Sequence, residues 1–154
     1  MKESPIYNDQ LILSTELSVY IQELICIVND YLNKFEREDF FLFGDDKKRD
    51  RTYRKEYNDF ISGFPAITMS IDKAISTLAL LLVDADKEME LDLIVLLSKK
   101  SEACIALQKE ISTYVCEGKA IIAKDGISPS ALVSRTRKLR ADIEAVLLTI
   151  NSEE

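Results

Sequence analysis

Apolar residues recur along most of this chain at alternating spacings of four and three, the mark of helices that bury one face. In the first long segment Leu13, Leu17, Tyr20, Leu24, Ile27, Tyr31 and Phe35 form such a stripe. It predicts a helix of roughly 28 residues, about 42 Å long at ~1.5 Å per residue, that ends within 36–39. Val19, Ile21, Ile25 and Val28 widen the stripe, so this helix is expected to be contacted on more than one side. Beyond the cluster Phe40-Phe41-Leu42-Phe43-Gly44, the charged run fits a short helix over 50–61 with Tyr53, Tyr57, Phe60 and Ile61 on one side. Gly63 and Pro65 close it. A third stripe runs through Ile67, Ile71, Ala74, Ile75, Leu78, Leu81 and Leu82, and its phase shifts to Leu93, Leu96 or Leu97, Cys104, Leu107, Ile111 and Tyr114. That shift predicts a turn at Asp84-Ala85-Asp86. Gly118 and, more firmly, Lys124-Asp125-Gly126 mark the next end, and Ser128-Pro129 supplies an N-cap followed by proline at the first helical position. The last stripe is Leu132, Thr136, Leu139, Ile143, Val146 and Ile150. No segment alternates with period two for long enough to make a strand. The fold class expected is therefore all-α, an antiparallel four-helix bundle forming a single domain over 1–154, with a long first connection that carries a short extra helix.

Composition adds bounds. A domain of 154 residues buries roughly 70% of the surface of its unfolded chain and needs no metal or disulfide to hold it. The 47% hydrophobic and 31% charged content excludes a disordered chain. The longest unbroken apolar run, 78–83, is short of the roughly 20 residues that span a bilayer, and no apolar signal core precedes Leu11. The expectation is a cytoplasmic protein without a membrane segment. Cys26, Cys104 and Cys116 are odd in number and unpaired in spacing, which reads as buried, reduced thiols.

The chain has no histidine, which removes the commonest general base, nucleophile activator and transition-metal ligand. Glycine-rich phosphate loops, a nucleophile elbow and a Cys-x-x-Cys pair are also missing. The ladder Asp84, Asp86, Glu88, Glu90, Asp92 invites a cation, but Met89 and Val95 stand where a calcium loop needs glycine and a bidentate glutamate. No metal and no cofactor is expected, and the ladder reads as a solvated helix start or an acidic docking strip.

Charge is distributed unevenly. Residues 45–57 carry +2 and 135–140 carry +4, leaving −13 on the remainder of a chain whose net charge is −7. Nine of the twelve aromatic residues fall in 31–64, interleaved with arginine, the pairing that dominates interface hot spots. The candidate partner-binding residues are Arg49, Arg51, Tyr53, Arg54, Tyr57, Arg135, Arg137 and Arg140, while Phe40, Phe41, Phe43, Phe60 and Phe64 are expected to cap one end of the bundle. The leading expectation is a non-enzymatic, acidic protein-binding module of the inhibitor, immunity, antitoxin or chaperone kind, acting on a protein partner of basic character. A nucleic-acid-associated subunit using 47–57 and 135–140 is the alternative, and a carboxylate-metal hydrolase a third. A homodimer would also be compatible with the wide apolar stripes.

Overall fold

The computed structural model describes residues 4–35 and 46–153, which form five helices and, among the described residues, no strand: α1 (Pro5–Phe35), α2 (Asp46–Ile61), α3 (Phe64–Lys87), α4 (Leu91–Ile122) and α5 (Pro129–Asn151). The four long ones make an antiparallel bundle in which α1 packs between α3 and α5, and α4 packs between the same two on the opposite corner. Cross-links fix the directions. Gln108 of α4 donates to the Thr68 carbonyl of α3 at 2.8 Å, Arg135 of α5 pairs with Glu117 of α4, and Arg140 donates to Asn29 of α1 at 3.2 Å.

Most stripe positions read from the sequence face the axis: Leu17 and Leu24 of α1, Ile71 and Leu78 of α3, Leu97, Cys104 and Leu107 of α4, and Leu132, Leu139 and Ile143 of α5 are all buried. In α1, Ile21 and Val28, read as widening the stripe, are buried, while Tyr20 and Ile27, read as part of it, are half-buried. Burying an aliphatic side chain of this size stabilises by about 1.5–3 kcal/mol, so the bundle is held chiefly by this aliphatic layer stack. The helix α5 begins as its sequence dictates, with the Ser128 hydroxyl accepting from the Ala131 amide and Pro129 at the first position.

Several expectations are corrected. The turn between α3 and α4 lies at 88–90, not 84–86, because Ala85 belongs to the buried stripe and keeps the helix wound through Lys87. Gly118 lies inside α4 rather than at its end. The helix in the connection starts at Asp46, four residues before the sequence suggested. Cys104 is buried, and burial pushes its thiol up to about 11, but Cys26 and Cys116 are exposed. Both sit on outward arcs beside the apolar stripe. Phe60 and Phe64 do close one end of the bundle; Phe40, Phe41 and Phe43 lie outside the described residues.

One polar cluster interrupts the core. Lys100 of α4 is 1% exposed, and its ammonium donates across the diagonal to Gln10 Oε1 and Ser14 Oγ of α1, both at 2.9 Å. All its hydrogen-bond partners are neutral, so burial pulls its pKa below the usual 10.5. The unfolded chain then holds this proton more tightly, and stability must rise with pH until the lysine of the unfolded chain also deprotonates. Thiol and phenol groups with raised values oppose this rise, but they do so equally in the natural chain and in a variant without the lysine. The denaturation midpoint of the natural chain should therefore climb relative to that of Lys100→Met as pH rises toward 10.5, and the variant should be at least as stable at neutral pH; parallel profiles would refute the account.

Candidate functional site

The helix α2 is amphipathic and lies across one end of the bundle, touching α1 and α4, the diagonal pair. Its apolar side is aromatic. Phe60 stacks on Tyr31 with centroids 4.2 Å apart, and Tyr53 stacks on Phe35 at 6.1 Å. Tyr57 is fully buried and its hydroxyl donates to the Tyr114 carbonyl at 3.0 Å. That approach needs Gly118, since a β-carbon there would overlap the Tyr57 phenol. Burial raises the pKa values of Tyr31 and Tyr57, and pushes that of Tyr114 up to about 12. All three are neutral phenols at physiological pH, and the buried Tyr31 hydroxyl has no hydrogen-bond partner among the described residues. Tyr114 also pairs with Thr136 of α5.

The polar edge of α2 holds the α4–α5 loop. Arg54 donates from Nε to the Ile122 carbonyl at 2.6 Å and from Nη2 to the Lys124 carbonyl at 3.3 Å, closing the C-terminus of α4. The two carboxylate oxygens of Asp50 accept from the amides of Gly126 and Ile127 at 2.9 and 3.1 Å. Chiefly through the Gly126 bond, these hold the carboxyl below its ordinary value. Gly126 is at φ 73, a conformation that glycine adopts at least cost.

The eight residues singled out from the sequence therefore do not form one surface. Tyr53 and Tyr57 face inward, and Arg54 is committed to the loop. Arg135 is paired with Glu117, and Arg140 bonds Asn29 and lies 3.9 Å from Glu144. Arg49, Arg51 and Arg137 are exposed. Aromatic residues on one face of a short helix serve the core or a partner equally well in sequence, and here the core takes them. Among the described residues no three His, Cys, Asp or Glu side chains come together to hold a metal ion.

A different surface stands out at the opposite end. Five of the ten large apolar side chains exposed among the described residues, Leu80, Val83, Met89, Leu91 and Val95, surround the α3–α4 turn. Exposed Asp84, Asp86, Glu88 and Asp92 lie among them and make no ion pair among the described residues. The turn is a Schellman motif: the Glu90 amide bonds the Ala85 carbonyl at 3.0 Å and the Met89 amide bonds that of Asp86 at 3.1 Å. The left-handed position of this motif is normally glycine, but here it is Met89, at φ 55 and 79% exposed. Sequence inspection missed it because the motif usually announces itself by that glycine. The acidic ladder was the available signal. By length and composition alone, windows in α1 and in 47–87, each of hydropathy 1.7, would suffice to cross a membrane, a test that core helices also pass.

The Gly118–Tyr57 contact is testable as a double-mutant cycle. Gly118→Ala should cost about 1–3 kcal/mol from overpacking, yet in a Tyr57→Ala background the same change should become neutral or stabilising, as alanine in a helix is normally favoured over glycine. Equal penalties in both backgrounds, measured by chemical denaturation, would refute the contact. Compared with protein-family models, with curated proteins and with solved structures, the chain matches none, so its function is read from its own side chains.

Proposed function

We propose that this chain is a non-enzymatic protein-binding module that captures a basic segment of a protein partner at the α3–α4 end. The observation that carries the reading is Met89. A non-glycine residue in the left-handed region costs about 1–2 kcal/mol, and a strained, exposed apolar side chain in a turn that glycine would relax is a feature expected at binding sites. Around it, Val83, Leu91 and Val95 offer apolar area, and Asp84, Asp86, Glu88 and Asp92 a negative rim. In this mechanism the carboxylates speed encounter with a cationic partner and reject acidic ones, and the apolar side chains slow its release once buried. The same rim repels the anionic surface of a lipid bilayer, which favours a protein over a membrane as the occupant.

The turn offers a variant that separates binding from folding. Met89→Gly should raise the stability of the free chain by about 1 kcal/mol and at the same time weaken partner capture. Neutralising the rim, with Asp84→Asn, Asp86→Asn, Glu88→Gln and Asp92→Asn together, should slow association and remove most of its salt dependence. The measurement is recovery of a stoichiometric protein from the host lysate by the tagged chain and its variants, with nuclease treatment and with binding to neutral and anionic vesicles in parallel. Recovery that resists nuclease and is lost in both variants supports the reading. Recovery lost to nuclease, partition into vesicles, or indifference to both variants would overturn it.

A further inference from the structure

The end of the bundle remote from Met89 holds a cavity of about 480 Å³ between α2 and the α4–α5 loop, lined by Lys47, Asp50, Arg51, Arg54, Asp125 and Gly126. Three cations face two carboxylates there, and the carboxylates are not equivalent. Asp50 has both oxygens occupied by the Gly126 and Ile127 amides, so it is already satisfied by donors within the loop. Asp125 is fully exposed and only 3.4 Å from Arg54 Nη2, a long contact for an ion pair. Lys47 and Arg51, one turn apart on α2, are exposed and make no hydrogen bond or ion pair among the described residues. The Arg54 guanidinium is fixed by the two loop carbonyls through Nε and Nη2, leaving Nη1 without a partner among the described residues. The site is thus a rigid guanidinium, a second arginine and a lysine, with one carboxylate, Asp50, turned to the loop amides and a loosely attached one, Asp125, occupying part of it.

We infer that this cavity binds the phosphate group of a small, polar phosphate monoester, which displaces Asp125. A phosphate monoester carries nearly two negative charges and three acceptor oxygens, matching two cations that make no ion pair among the described residues and the spare edge of a third. Arginine is suited to this role because its fork meets two phosphate oxygens at once. The volume exceeds that of a phosphate and lies at the small end of ligand sites, which leaves room for a compact organic part. Among the described residues no aromatic ring lines the cavity and its lining is charged or polar throughout, which suits a polar organic part, of the sugar-phosphate kind, rather than a base. The site lies at the far end of α4 from the acidic turn and owes nothing to the protein-binding reading.

The test is a titration of the isotope-labelled chain, followed through the amide resonances of Gly126 and Ile127, with a hexose phosphate, the unphosphorylated hexose, inorganic phosphate and adenosine monophosphate. Saturable shifts with the hexose phosphate, absent with the hexose and at least about tenfold weaker with inorganic phosphate, are expected. The variant Lys47→Gln, Arg51→Gln should fold normally, since neither side chain is bonded among the described residues, and should bind at least about tenfold more weakly. Asp125→Asn removes the competing carboxylate and should bind several-fold more tightly. No saturable shift below about 10 mM would overturn the assignment, as would shifts indifferent to Lys47→Gln, Arg51→Gln. Equal affinity for inorganic phosphate would overturn the choice of an ester, and tighter binding of adenosine monophosphate would overturn the exclusion of a base.

Discussion

The hydroxyl of Tyr57 reaches the Tyr114 carbonyl only because Gly118 has no side chain, and the whole α2 end of the molecule hangs on that passage. With the phenol seated, the ring lies against Tyr31, Phe60 and Tyr114, and α2 is locked at a fixed height over the bundle. Asp50 and Arg54 then meet the α4–α5 loop at hydrogen-bonding distance. Lift the phenol and the loop loses two of its supports. A strongly charged helix is in this way joined to the core through its aromatic side, with Tyr57 at the centre, between the stacked Tyr53 and Phe60.

The two ends of the bundle are chemically opposite. Carboxylates surround apolar side chains at the α3–α4 turn, while Lys47, Arg51 and Arg54 gather beside the α4–α5 loop. The helix α4, with 32 residues, separates them by about 48 Å at ~1.5 Å per residue. Over that distance the Coulomb interaction between the ends is screened to almost nothing at physiological ionic strength, where the Debye length is about 8 Å. Each end therefore presents its own field to the surroundings, and a cationic and an anionic ligand can be held on one small chain without competing.

Much of the bundle was legible because its stripes are aliphatic and regular. Leu17, Leu24, Ile71, Leu78, Leu107 and Ile143 are inward both by spacing and in space, and Ser128-Pro129 opens α5 as its chemistry requires. What was not legible depends on pairs of residues far apart in sequence. Gly118 looked like a helix end because nothing near it reveals the tyrosine that needs its space. Tyr53 and Tyr57 were correctly put on one side of a helix, but periodicity does not say whether that side meets solvent or a core. The turn at Met89 carries no glycine to mark it. Lys100 sits on an apolar stripe that any count of spacing would pass over, since its partners Gln10 and Ser14 are about ninety positions away.

Cys104 lies one turn from Lys100, buried, with its thiol held protonated by its surroundings, whereas Cys26 and Cys116 are exposed. Thiolate rather than thiol is the reactive form, so Cys104 is shielded twice, by access and by charge state. The chain consequently contains its own clock for opening of the core: two thiols record solvent exposure from the outset, and the third is modified only at the pace at which the helices part.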